Sequence, residues 1–168
     1  LKVRTLTEDS VRPELERVNV DLTSEIVTLH FSETVRLSTM NASGLRISKT
    51  ASAQADSFVL SGGTALPGVP APDISFSFLG DDMDLIKYNT EVATSVSNTY
   101  FSIPSHAIRD MSGNAVIVRS LDSASALKAS EVKPDTTHPK LVKVNYDLSP
   151  KSEDQICLLY TSPSPRDA

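Results

Sequence analysis

The chain has 168 residues, a formal net charge of −5 at pH 7, no tryptophan and one cysteine. Its 16 basic residues form no cluster, which argues against a nucleic acid or an anionic membrane surface as partner. No stretch approaches the run of about 18 apolar residues that a transmembrane helix needs.

Taken in chain order, Leu15 to Leu22 predicts a strand. Val18, Val20 and Leu22 alternate, whereas Leu15 is out of phase, so a bulge is expected near Glu16-Arg17. Thr23-Ser24-Glu25 reads as a turn. From Ile26 to Ser32, Val27, Leu29 and Phe31 share one face and Thr28 and His30 the other, the clearest strand in the chain. After a turn over residues 40–44, Leu45 to Ser48 and Ser57 to Leu60 read as short strands. Gly62 to Pro72 holds three Gly and three Pro and reads as a loop that cannot continue a ladder. Ile74, Phe76 and Phe78 predict another strand. Asp81 to Tyr88 is the one helical candidate, capped by Asp81 or Asp82, with Met83, Leu85 and Ile86 as its apolar face. Thr99 to Ile103 is a strand, Asp110-Met-Ser-Gly-Asn114 a turn, and Ala115 to Val118 a closing strand. About eight short strands at roughly ten-residue spacing point to an all-β antiparallel sandwich with one short helix. Its expected core is Val20, Val27, Leu29, Phe31, Leu45, Ile47, Phe76, Phe78, Phe101 and Val116.

The chain also contains its own beginning twice. Leu1-Lys2 recurs as Leu127-Lys128 and Asp9 as Asp135. Pro13, Leu15, Val18, Asn19, Asp21 and Leu22 recur as Pro139, Leu141, Val144, Asn145, Asp147 and Leu148, every pair 126 positions apart without a gap. This is the signature of a tandem array of domain-sized repeats, and such arrays serve more often as spacers or binding stalks than as enzymes. Residues 1–8 are the end of a preceding repeat, 9–134 a complete one and 135–156 the start of the next. Cys157 to Asp167 resembles a translated tagmentation sequencing adapter, which in one frame reads C-L-L-Y-T-S-P-S-P-R-D. Residues 157–168 are therefore set aside as an adapter-derived artefact and expected to lack regular structure. The chain reads as a fragment, so the lack of a leader or anchor carries no information.

Three motifs, Asp135-Thr-Thr-x-Pro139, Leu29-x-Phe31-Ser32-Glu33 and Asp110-x-x-Gly113-Asn114, resemble those of the bacterial Ig-like domains in surface-layer proteins and large repeat adhesins. There a D-T-T-x-P linker opens each repeat, L-x-F-S-E ends an early strand and D-x-x-G-N precedes the last one. The resemblance spans nearly all residues before the adapter and implies an Ig-like sandwich at the cell surface or outside the cell, with a role in adhesion or matrix architecture. The chain departs from the pattern at Asp9-Ser-Val-Arg-Pro13, which keeps only the Asp and the Pro, and in the longer segments Gly62–Pro72 and Asp81–Tyr88.

The candidate site residues are carboxylates. Asp110 has a sufficient explanation as a turn former, its side chain accepting from backbone N–H groups ahead of it. The alternative is calcium, which takes six to eight oxygens, held by Asp110 with Asp9 or Asp135 at a domain junction. Asp81-Asp82-x-Asp84 reads as a helix start, with cation binding the alternative. Ser32-Glu33 reads as a turn-forming pair, with a calcium ligand the alternative. His30, His106 and His138 are scattered without zinc-site spacing, and no G-x-S-x-G elbow is present, so catalytic residues are not expected. Only Tyr88, Tyr100 and Tyr146 remain as sugar-stacking platforms. Asn41-Ala42-Ser43 is a glycosylation sequon in a predicted turn.

These features point to a non-catalytic structural or adhesive repeat of a large extracellular or cell-surface protein. Its partners would be neighbouring repeats of the same chain and surface or matrix ligands, with no membrane contact by this segment and calcium as the candidate ion. The alternative is an accessory binding module of a secreted multidomain enzyme.

Overall fold

The computed structural model describes residues 7–52, 57–122, 124–138, 140–147 and 155–160. Strands β1 (Leu15–Asp21) and β2 (Ile26–Val35) form an antiparallel hairpin, followed by β3 (Arg46–Ser48), β4 (Ser57–Val59), β5 (Thr64–Ala65) and β6 (Ala71–Ser77). Helix α1 (Gly80–Tyr88) leads to β7 (Tyr100–Ser102), β8 (Leu127–Lys128), β9 (Glu131–Lys133), β10 (Leu141–Asp147) and β11 (Gln155–Tyr160). One sheet has the order β5-β6-β2-β1-β9 and the other β4-β3-β7-β8, while β10 and β11 pair with each other. The fold is an all-β sandwich with one helix.

The alternation in β2 decides the packing. Val27, Leu29 and Phe31 are buried, and Thr28 and His30 on the other face are half-buried. Thr28 meets Ser75 at 2.9 Å, and His30 Nδ1 meets Asp73 Oδ1 at 2.7 Å. All ten residues expected in the core are buried, and the core cluster is drawn entirely from residues between Leu15 and Ala129. The expected bulge is present: Leu15 pairs with Phe31 but Arg17 with His30, leaving Glu16 as the extra residue. The bulge brings Leu15 onto the buried face with Val18 and Val20.

Several expectations are corrected. The Gly62–Pro72 segment does supply ladder positions, since Thr64 and Ala65 pair with Ser77 and Phe76. Gly63 permits this approach, because a Cβ there would sit 2.7 Å from the Phe76 ring and 3.0 Å from the Ser77 carbonyl. Pro72 falls inside β6, but at the irregularity between the His30–Asp73 and Val35–Ala71 pairs, where no ladder bond is required of it. Ser32-Glu33 is no turn, because β2 runs on to Val35. Neither Asp81 nor Asp82 caps α1, whose N-cap is Leu79. Asp82 Oδ2 instead accepts from Ser61 N–H at 2.8 Å and from Ser61 Oγ at 3.1 Å, pinning the loop after β4.

Leu85 points to solvent, and α1 buries Met83 and Ile86 together with Asp82 and Lys87, because this short helix packs a polar pair into the loop contacts. Ala115 to Val118 closes the fold through single bridges and not a ladder. Strands β8 and β9 come from a segment without apolar alternation. Of these, β9 runs parallel to β1, an exception in an otherwise antiparallel sandwich. The expectation of an unstructured tail fails at Cys157 to Tyr160, which form most of β11. Their β-prone apolar run offers a partner to the otherwise open edge of β10. Residues 161–168 lie outside the described residues, as do residues 1–6.

Phe31 is 4% exposed. Phe31→Ala is expected to cost about 3–5 kcal/mol, as aromatic truncations in packed cores do, read as a lowered denaturant midpoint at unchanged slope.

Candidate acidic site at one end of the sandwich

Three segments distant in sequence bring Asp9, Glu33 and Asp110 together, with one oxygen of each carboxylate within 4.8 Å of the others. The backbone explains the convergence. Val35 at the end of β2 bridges to Asp110, and Arg36 N–H donates to the Arg109 carbonyl at 2.8 Å, placing the Asp110 turn beside Glu33. The chain before β1 is tied to the same end: Ser32 N–H donates to the Glu14 carbonyl at 2.9 Å, and Glu14 N–H to Ser32 Oγ at 3.0 Å.

Within the turn, Asp110 Oδ1 accepts from Asn114 N–H at 2.7 Å, and Gly113 takes φ +97° as the tight geometry requires. Asn114 Nδ2 donates both to Asp110 Oδ2 at 2.7 Å and to the Asp9 carbonyl at 3.1 Å, so Asn114 joins the two acidic segments. Asp9 Oδ1 accepts from Val11 N–H at 3.0 Å, the local turn expected of Asp before such a linker.

The electrostatics are one-sided. Among the described residues no Lys, Arg or His forms an ion pair with any of the three carboxylates. Glu33 Oε1 is fully buried without a donor. Burial first, then the charges of Asp9 and Asp110, push the Glu33 carboxyl above its ordinary value. Burial acts on Asp110 in the same direction, but the Asn114 side chain and the backbone N–H groups of Asn114, Gly113 and Ser112 outweigh it. Asp110 therefore ends below the carboxylate range, and ionised. The arrangement offers hard oxygens with no basic side chain paired to them among the described residues, the donor chemistry that a divalent ion such as calcium prefers.

Asp135, expected with Asp9 and Asp110, is elsewhere. Its Oδ2 forms an ion pair with Lys87 Nζ at 2.7 Å, and Lys87 Nζ donates to Glu25 Oε1 at 2.9 Å. The Asp135 and Lys87 side chains are 2% and 6% exposed. Burial opposes charge on both, yet their mutual bond prevails: it lowers Asp135 and, with Glu25, raises Lys87. Glu25 precedes β2 and Glu33 lies near its end, so the two sites are roughly 25 Å apart at about 3.3 Å per residue. Sequence reasoning placed Asp135 by its likeness to Asp9, but the position 126 residues later lies at the far end of the sandwich. Glu33 was legible only as a minority reading, since nothing local shows that β2 delivers it beside Asp110. Compared with protein-family models, characterised proteins and solved structures, the chain matches none.

Because the folded state holds a proton on Glu33 more tightly than the unfolded state, this group's contribution to stability falls as pH rises from about 4.5 through the raised value. In chelator at pH 7, Glu33→Gln is therefore expected to stabilise by on the order of 1 kcal/mol, the scale of repulsion between unit charges about 4–5 Å apart screened as in bulk water. The gain over wild type should vanish below pH 4. Paired denaturation curves across that range check both.

Proposed function

We propose that this chain is a stretch of a tandem array of Ig-like sandwiches, serving without catalysis as an extended structural or adhesive part of a large extracellular or cell-surface protein. The observation that carries this reading is the recurrence of two local devices at the 126-residue period. Val11 N–H donates to Asp9 Oδ1 at 3.0 Å, and Thr137 N–H to Asp135 Oδ1 at 2.9 Å. The bulge between Leu15 and Arg17 recurs between Leu141 and Lys143. The side chains agree. Leu15 and Val18 are fully buried, whereas Leu141 and Val144 are 48% and 52% exposed, as apolar strand positions are when the rest of their sandwich is missing.

Placement favours an extended array. The chain enters the sandwich at the Asp9 end and leaves it at the Asp135 end, so successive copies would lie head to tail. Asp9, Glu33 and Asp110 would hold calcium at each leading end. Ion binding there offsets the repulsion that Glu33 meets and ties the linker Asp to the body of its repeat. Two of the three family-like motifs meet at this site, Ser32-Glu33 near the end of β2 and Asp110 with Asn114 in the turn, and Asp9, from the segment that keeps only the Asp and the Pro of the linker pattern, joins them.

Calorimetric titration of the full chain with calcium is expected to show one site with Kd on the order of 0.1–1 mM, the range of extracellular modules. Glu33→Gln should weaken it at least about tenfold, the scale for losing one charged interaction of about 1.4 kcal/mol. Absence of binding heat, or equal affinity in the variant, removes calcium from the site. Sequencing of the source locus tests the array itself: many copies at this period support it, and a single copy beside a catalytic domain overturns it.

A further inference from the structure

The two ends of the sandwich hold their carboxylates differently. The leading end gathers three without a described counter-ion, and at the trailing end the buried Lys87 ammonium already holds Glu25 and Asp135. Resting on the array reading above, we propose that the linker aspartate fastens consecutive repeats directly: its side chain is gripped by the repeat before it, and its backbone by the repeat after it. The partner that the trailing end fits is thus the leading end of a second copy.

Both grips are visible, one at each copy of the same residue. On the trailing side the chain is held up to Asp135. Leu22 N–H donates to the Lys133 carbonyl at 2.9 Å, Thr23 Oγ1 to the Pro134 carbonyl at 3.2 Å, and Lys87 Nζ lies 2.7 Å from Asp135 Oδ2. On the leading side the chain is held from Asp9 onward. Asn114 Nδ2 donates to the Asp9 carbonyl at 3.1 Å. The Arg12 guanidinium donates to the Ala115 and Val116 carbonyls at 2.8 Å each, and Ile117 N–H donates to the Pro13 carbonyl at 2.9 Å.

Placed one period apart, these fastenings overlap at one residue. A hinge needs residues whose φ and ψ can change, and between Asp9 and Pro13 that freedom is narrowed by Val11 N–H folding back onto Asp9 Oδ1 and by the Arg12 side chain holding the repeat body. The side-chain oxygen that takes Lys87 is distinct from the carbonyl that takes Asn114, so the two grips do not compete.

The test is a protein in which residues 9–134 are joined to a second copy of residues 9–134, so that the second Asp9 stands where Asp135 stands here. The single repeat contains the whole described core and is the natural unit to duplicate. This segment has no cysteine, so Thr50→Cys in each copy admits one nitroxide label per copy. Pulsed dipolar spectroscopy in chelator is expected to give one narrow inter-label distance. Lys87→Met in the first copy should lose that peak for a broad distribution, and so should Asp9→Asn in the second copy, which spares the core of the first. Lys87→Met in the second copy, which no repeat follows, should leave the peak unchanged; a merely local role for Lys87 would not separate the two copies. A broad distribution in the unsubstituted protein, or a narrow one in both the first-copy Lys87 and second-copy Asp9 variants, overturns the direct fastening while the array reading stands. Failure of the joined copies to reproduce the single repeat's spectrum overturns the array reading itself, and the fastening with it.

Discussion

Strand β2 is paired on both sides, with β1 and with β6, and buries every second side chain from Val27 to Phe31. Slipping it by one residue would turn those three side chains out of the core and Thr28 and His30 in, so its register is strongly determined. The same strand spans the sandwich from end to end, which fixes where its flanking acids emerge. Glu25, held at φ +60° in the turn before it, reaches Lys87, and Glu33 near its far end reaches Asp9 and Asp110. The positions of both charged sites follow from the packing of one strand.

The two sites show opposite answers to burying carboxylates. At the trailing end the Asp135 side chain is almost wholly buried and an ammonium lies 2.7 Å away, so attraction outweighs the loss of hydration. At the leading end three carboxylates share a small volume, and only Asp110 is well supplied with donors. Glu33 carries the imbalance, with one oxygen buried and undonated and its carboxyl pushed up by burial and by its neighbours. A site of that kind costs stability as it stands and gains it from any cation brought to it.

The motif residues acquire separate physical reasons. Asn114 is needed because its amide donates to two acceptors on different segments, which a shorter or charged side chain would not reproduce. Ser32 accepts from Glu14 N–H through its hydroxyl and donates to the Glu14 carbonyl through its own N–H, closing the start of β1 onto the end of β2. Gly113 supplies the positive φ that lets the Asp110 side chain reach back-facing N–H groups. The Asp110–Gly113 turn is local and was readable from the residues alone, whereas the reach of Asn114 to Asp9 and of Ser32 to Glu14 spans distant segments.

Period-two alternation in residues 26–32 and 74–78 determined the central strands, their buried faces and the all-β class, because side-chain direction along a strand depends on local geometry. The out-of-phase Leu15 likewise disclosed the bulge. Only the tertiary structure decided which acids meet. Asp9, Glu33 and Asp110 are brought together by a bridge and tie-backs between distant segments, and no spacing in the chain records that. It also sent Asp135 to Lys87, made Asp82 a loop clamp and not a helix cap, and paired β9 parallel to β1. Each of these outcomes depends on a partner far along the chain, whose proximity is set by the packing of the whole sandwich.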